Sequence, residues 1–353
     1  MTSVQPLPPR SIRITRILTK ATSVVLLLLS CSLSHVYAST LSDIKEKGYI
    51  TCGVSQSLPG FSYIEKDGKW TGLDVDFCKA LAVGIFNDSS KVRYSALSAK
   101  ERFTALQSGE IDVLSRNTTW TASRDTSLGV HFAGVIYYDG QGFMVRKDLG
   151  VNSALELDGA TLCTNTGTTT ELNMSDYFRA NNMQYKPVVF EKYDEVLAAY
   201  EAGRCDVLST DQSGLFSQRI RLKDANAHKI LPEIISKEPL GPAVRQGDDQ
   251  WFNIVKWTLY ALLEAEELHI TKKSLMLKKL PTKPKERRFL GYDGNIGENL
   301  GLSNAWARQI IQTLGNYGEI YEKNVGKHSP LNVPRNHNSL WTQGGLHYAP
   351  PFR

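Results

Sequence analysis

The stretch Ala105-Leu-Gln-Ser-Gly109-Glu-Ile-Asp112-Val-Leu-Ser115 returns further along the chain as Ala199-Tyr-Glu-Ala-Gly203-Arg-Cys-Asp206-Val-Leu-Ser209. Both copies open at helical spacing, with Phe103 and Leu106 in the first and Val196, Leu197 and Tyr200 in the second. Each then passes through a glycine able to take the left-handed position that ends a helix, and enters a short apolar strand. Polar residues crowd both strand ends, Ser115 to Thr121 and Ser209 to Gln212. A helix–turn–strand unit used twice predicts two lobes of similar α/β build. Open α/β sheets bind ligands beyond the carboxyl ends of their strands, so these polar ends are the candidate site. A chance match between two common α/β units explains the shared run less well.

Outward from the first copy, the pattern predicts a helix near Leu41–Lys47, a strand at Tyr49–Val54 and a β-hairpin turn at Asp67-Gly68. A helix follows Gly72 with Phe77, Leu81 and Ile85 on one face, then a strand near Lys91–Tyr94 and a helix capped by Ser98. Strand-like segments at Gly142–Arg146 and Ala243–Arg245 read as the two crossings between lobes. The second lobe is then a contiguous insertion, 146–241, in a first lobe made of 39–145 and 242–327. Helices are expected at Trp251–Glu266 and Asn304–Leu314. The tail, 328–353, is rich in Pro, Gly and Asn and reads as an extended strap packed on the surface.

The first 38 residues read as an export signal. Arg10, Arg13, Arg16 and Lys20 precede any acidic residue, the apolar run Val24–Leu29 follows, and Val36-Tyr37-Ala38 resembles a small-residue cleavage site. The run is far shorter than the ~20 apolar residues of a spanning helix, which favours export with cleavage near Ala38 over an anchor. Lipid attachment at Cys31 fits less well, because a leucine precedes Ser30. Cleavage removes four basic residues from a formal net charge of +5, so the basic balance belongs mostly to the signal. The nearly neutral remainder gives no reason to expect nucleic acid or an anionic membrane as a partner.

Cys52, Cys78, Cys163 and Cys205 remain. An even count in an exported chain predicts two disulfides, with three possible connectivities. Clustering into two separated pairs favours Cys52–Cys78 and Cys163–Cys205, each contributing roughly 3–4 kcal/mol by loop closure. Four free thiols are the alternative. No C-x-x-C spacing or neighbouring histidine suggests zinc, and no metal or cofactor is expected.

The segment Gly72-Leu-Asp74-Val-Asp76-Phe77-Cys78-Lys79-Ala80-Leu81 resembles the signature of the amino-acid-type, family 3 solute-binding proteins of ABC transporters. The stretch from Asp112 to Arg124, then Thr166-Gly-Thr-Thr169, then Thr210-Asp211 follow in the family's order. The runs Pro239–Asp248 and Leu340–Pro351 carry the likeness over essentially the whole chain after the signal, where it resembles the general L-amino-acid-binding proteins. The resemblance implies a type II periplasmic binding protein fold, two α/β lobes joined by a two-strand hinge with a C-terminal extension. It also implies a periplasmic monomer that binds free L-amino acids and delivers them to an inner-membrane ABC permease.

An amino-acid zwitterion needs an anion clamp and a cation clamp a few ångströms apart. By resemblance, Arg124 grips the α-carboxylate through two parallel N–H bonds, which a lysine cannot supply. Thr166–Thr169 precedes what reads as a helix start, where free N–H groups and the helix dipole favour a carboxylate. Gly167 there lets backbone approach the ligand, and the hydroxyl of Thr168 or Thr169 donates as well; plain capping by threonine is the alternative. Asp211, like the family's aspartate, pairs with the α-ammonium, and Asn117 and Thr119 supply acceptors from the first lobe. Phe61 is expected over the ligand's aliphatic part, with Trp120 a second candidate and Arg116 either facing the pocket or outside it. The family's side-chain pocket finds no clean match around Leu97–Arg102.

Two other readings compete. An enzyme on the same fold would need reactive groups in context, yet there is no G-x-S-x-G elbow and no H-E-x-x-H. Ser115, Asp125 and His131 carry no such context, and Gly291, Gly294 and Gly297 lack the preceding strand of a dinucleotide site. A sensor whose closure is read by a receptor would use the same ligand chemistry.

Overall fold

The computed structural model describes residues 1–5, 39–277 and 280–353; the export-signal reading, including Cys31 and Ala38, lies outside them. Ser39–Arg353 forms one compact unit holding two five-stranded sheets. In the first, Ile50–Val54 lies between Val92–Ala96 and Val113–Leu114, all parallel, followed by Ala243–Arg245 and Val130–Phe132. The second repeats the order: Thr161–Asn165 between Lys186–Phe190 and Val207–Asp211, then Gln141–Arg146 and His228–Ile230. In each, the fourth strand runs antiparallel to both neighbours.

The repeated segment builds this symmetry. Gly109 and Gly203 follow the helices Arg102–Ser108 and Tyr193–Glu201 with φ of 81° and 73°, a region glycine enters without strain. Asp112 and Asp206 then do one job twice. Each carboxylate accepts from the N–H of the neighbouring strand, Thr51 at 2.7 Å and Thr161 at 2.9 Å, while its own N–H donates to that residue's carbonyl. The register places Val113 opposite Cys52 and Val207 opposite Leu162. Cys52 is bonded to Cys78 on the helix Leu73–Phe86, and Cys163 to Cys205, with Cα–Cα distances of 6.3 and 5.7 Å.

The helix Leu73–Phe86 starts where the Pro59–Phe61 loop crosses it. Leu73 and Asp74 donate their N–H groups to the carbonyls of Gly60 and Phe61 at 2.9 and 3.0 Å. Gly72 has φ 127°, and a Cβ there would stand 2.1 Å from the Phe61 carbonyl oxygen. That close crossing is the physical content of the glycine in the signature.

Two expectations are corrected. Gly142–Arg146 and Ala243–Arg245 are strands, but each lies inside a five-stranded sheet. The passage between sheets is made by Tyr137–Asp139 and Glu238–Leu240, paired antiparallel as a two-stranded ribbon. Three residues carrying a glutamate and a proline do not read as a strand.

The tail is also more than a strap over the surface. Leu331, Val333, Leu340, Ala349 and Phe352 belong to the same core as Trp251 and Trp306. The Phe352 ring meets Trp257 and Phe289 edge-on at 5.0 and 5.3 Å. The Asn338 side chain bonds the N–H and carbonyl of Tyr138 on the ribbon, at 2.7 and 3.0 Å. His347 Nε2 lies 2.9 Å from the Tyr317 hydroxyl, which donates to the Ile136 carbonyl at 2.8 Å. With that proton committed, Tyr317 accepts from His347, and burial pushes the imidazole pKa down to about 3. Such residues insert singly between Pro, Gly and Asn, so no period reveals them. Among the described residues, no helix is long and apolar enough to cross a membrane.

Candidate ligand-binding cleft

The loops at the ends of the repeated strands meet between the two sheets. The hydroxyls of Thr119 and Thr169 are 3.4 Å apart, and Arg102 donates to the Gly167 carbonyl at 3.4 Å. Further along, the Ser57 carbonyl accepts from Gln218 and Arg221 at 3.1 and 3.2 Å, and Ser98 donates to Glu191 at 3.2 Å. The two halves are closed on one another.

Arg124 sits on the short helix Ala122–Ser127, whose cap Thr121 accepts from the Arg124 N–H at 3.2 Å. Its guanidinium donates to the Thr119 carbonyl at 2.8 Å and lies 5.3 Å from the Phe103 ring. One donor of the fork thus positions the group and the others stay available. Asp211 ends the strand Val207–Asp211 and is buried; among the described residues its carboxylate takes no hydrogen bond or ion pair. Burial pushes its carboxyl well above the usual range, Asp139 and Glu238 add to this, and Arg102 and Arg124 oppose it. Asn117, at φ 35°, has its N–H held by Asp74 at 2.9 Å. Its side-chain oxygen is buried without a partner among the described residues, an acceptor left over for a ligand.

The threonines do not act as expected. The Thr168 hydroxyl donates to the Asn165 carbonyl at 2.8 Å, and that of Thr169 to Glu238 at 2.9 Å. A hydroxyl has one proton, so neither is left to donate to a carboxylate. The Gly167 N–H is taken by Glu171 at 2.8 Å. What remains for an anion is the first turn of the helix Thr169–Ala180, whose N–H groups take no capping bond from the Thr168 side chain. Gly167 has φ 75°, and a Cβ there would come within 3.3 Å of the Lys100 Cα. This glycine therefore serves the approach of the two halves.

Phe61 is not in the cleft. It is 1% exposed in the core, edge-on to Tyr137 at 5.2 Å, because its loop is pinned down onto the start of the helix Leu73–Phe86. Trp120 is half-exposed and stacked on Phe132 at 5.8 Å. Arg116 does face the cleft. With Ser55, Ser57 and Leu97 it lines a cavity of about 230 Å³, closed from the other side by Lys192 and Tyr193.

Three participants escaped sequence reasoning. Arg102 is buried with Nε unpartnered among the described residues and only long bonds, 3.5 Å to Thr118 and 3.4 Å to Gly167. Its pKa is lowered by burial and by the neighbouring charges of Arg124 and Arg116, so three guanidiniums converge here. Glu238 is a buried carboxylate on the ribbon. Tyr193 starts a helix of the second half. Arg102 lies at the head of the repeated unit, which was a usable signal; Glu238, beside a proline, had none.

Asp74, from the signature, is buried, with Oδ1 accepting from the Ser115 hydroxyl at 3.3 Å. Burial raises its pKa to about 7 in spite of these bonds. The native state thus binds a proton between about pH 4 and 7 that the unfolded state releases, and stability from Asp74 is lost as pH rises through that window. His347 acts in the opposite sense, since its native pKa is depressed. The measurable quantity is therefore a difference: the urea-unfolding free energy of wild type minus that of Asp74→Asn should fall from pH 4 to pH 7 and then level off. A difference flat across that range would mean Asp74 is ionised in the native state throughout.

The chain matches the model of the bacterial extracellular solute-binding proteins, family 3, over residues 50–275. It is 60% identical over 328 residues to the general L-amino acid-binding periplasmic protein AapJ of Rhizobium johnstonii, covering 92% of this chain and 96% of that one. It is 52% identical to the glutamate/glutamine/aspartate/asparagine-binding protein BztA of Rhodobacter capsulatus, across 90% and 94% of the two chains. An ABC transporter periplasmic binding protein from Brucella ovis with glutathione bound has the same fold, with a TM-score of 0.88 at 55% identity over 90% of this chain and 100% of that one. That fold is the type II periplasmic binding protein fold, and the family and the relatives are solute-binding proteins, which sets the enzyme reading aside. This chain belongs to the family 3 bacterial extracellular solute-binding proteins.

Proposed function

We propose that this chain captures free L-amino acids of several kinds in the periplasm and hands them, by lobe closure, to an inner-membrane ABC permease. The observation that carries the reading is a pair of complementary groups, the Arg124 guanidinium and the buried Asp211 carboxyl, on facing halves of one cleft, each with hydrogen-bonding capacity unused by the protein among the described residues. A bound ammonium beside Asp211 would favour its ionised form. The α-carboxylate would lie on Arg124 and the first turn of the helix Thr169–Ala180, and the α-ammonium on Asp211 and the Asn117 side-chain oxygen. The two groups of one ligand then draw together lobes 39–145 with 242–327 and 146–241, moving about the Tyr137–Asp139 and Glu238–Leu240 ribbon. A ligand shifts this equilibrium only through its higher affinity for the closed form, and a clamp split between lobes supplies that difference.

Breadth is supported by the polar cavity of about 230 Å³ that Arg116 lines between the two halves, where water can fill space that a small side chain leaves. The names of the relatives agree, being a general L-amino-acid binder and a binder of four acidic and amide amino acids. Glutathione, bound by the Brucella ovis protein, carries a free α-amino-acid head with a longer tail. Export with cleavage near Ala38 and a monomeric mature chain complete the proposal.

The test is thermal stability of the ligand-stripped mature protein against each amino acid. A ligand at 100 times its dissociation constant adds about 2.7 kcal/mol to the folded state. Stabilisation by many L-amino acids is expected. Response to one or two would narrow the substrate, and no response to any would sink the amino-acid reading.

A further inference from the structure

We propose that Glu238 sets the polarity of the amino-acid site: by taking the hydroxyl protons of Thr119 and Thr169, it presents both oxygens to the ligand as acceptors, so that the site selects an α-ammonium over other α-substituents. The proposal rests on the amino-acid reading above.

Glu238 is 1% exposed on the ribbon between the two sheets. Its Oε2 accepts from the hydroxyls of Thr119 at 2.6 Å and Thr169 at 2.9 Å; its Oε1 accepts from the Asn173 amide at 2.7 Å and the Ser236 hydroxyl at 2.6 Å. An ionised carboxylate only accepts, so all four partners must donate. Each hydroxyl has a single proton, and Thr119 and Thr169 are left with lone pairs alone. The two oxygens lie 3.4 Å apart, one from each half, and the Thr119 carbonyl holds Arg124, which places them at the charged clamp. An ammonium group has three protons to donate, and both of these oxygens can only accept. A 2-hydroxy acid has one proton to give, and its oxygen faces oxygens. Leaving buried polar groups without partners costs binding, so the arrangement discriminates by more than charge.

Calorimetry with L-glutamate and L-2-hydroxyglutarate as probes tests this on the ligand-stripped mature protein. Wild type should prefer the amino acid by at least about a hundredfold. In Glu238→Gln the amide nitrogen must donate, one threonine turns its proton toward the ligand, and the preference should fall at least about tenfold. Thr119→Val and Thr169→Val keep the Glu238 charge but each remove one acceptor, so they should lower the preference too. They also decide the matter if Glu238→Gln fails to fold. A preference at the wild-type value in both valine variants would overturn the proposal, even if Glu238→Gln changed it, since charge alone would then be responsible. Binding of neither probe, with no response to other amino acids, would instead overturn the amino-acid reading itself and this proposal with it.

Discussion

Arg124→Ala is expected to weaken capture of L-glutamate by two to three orders of magnitude, roughly 3–4 kcal/mol. The side chain is already positioned by its own loop: Thr121 caps its helix by accepting from the Arg124 backbone N–H at 3.2 Å, and the Thr119 carbonyl holds one guanidinium nitrogen at 2.8 Å. A planar fork so positioned meets a carboxylate with two charge-assisted bonds at little further cost in order. Its removal also leaves Asp211 and Glu238 with less positive charge opposing them, so the empty cleft becomes more acidic where an anion must enter. Arg124→Lys should recover only part of the loss, because a point charge cannot reproduce the fork. The unliganded unfolding midpoint should move little, since among the described residues the side chain makes one hydrogen bond and lies outside the apolar cores. Wild-type affinity in Arg124→Ala, measured by calorimetry on stripped protein, would remove the carboxylate clamp from this residue.

Phe352→Ala is the largest effect expected on stability, a loss of about 3–5 kcal/mol in urea unfolding. Phe352 lies in the Pro-, Gly- and Asn-rich tail, a kind of segment in which changes are ordinarily tolerated. Here its ring is 3% exposed and wedged among Trp257, Phe289 and Trp306, on three different helices. Removing it opens a cavity that three large rings attached to separate helices cannot collapse to fill. Binding of L-glutamate should be unchanged in the same variant, which separates the core from the cleft. A loss below about 1 kcal/mol would mean that the end of the tail is a covering and not part of the core.

The division between what was legible and what was not follows the range of the interactions involved. The two-lobe α/β build was written in the repeated segment, because a helix, a left-handed glycine and a strand are each encoded within a few residues. Asp112 and Asp206 then repeat the same contact in both sheets. The cysteine pairing was readable for a similar reason, as each pair is close in sequence, at separations of 26 and 42 residues. Asp211 and Asn117 follow the ends of repeated strands, where an open sheet presents its ligand, while the roles given to Arg124 and Asp211 came from the family resemblance.

What a group can offer a ligand, by contrast, depends on which of its donors and acceptors the rest of the chain has already used. Glu238 reaches Thr119 across 119 positions and Thr169 across 69, and in doing so reverses the hydrogen-bonding role expected of Thr169. Phe61 looked like a ligand contact until the backbone bonds from Gly60 and Phe61 to the start of the helix turned its ring inward. The ribbon and the buried tail were hidden because three-residue strands and singly inserted side chains have no period to detect. The sequence by itself determined the architecture, since local propensity and chain order specify it, and it offered candidates for the cleft without Arg102, Glu238 or Tyr193 among them. Only the tertiary structure decided which of those residues remain free to bind, because each hydrogen-bonding proton can be committed once, and its partner is chosen by contacts far away in the chain.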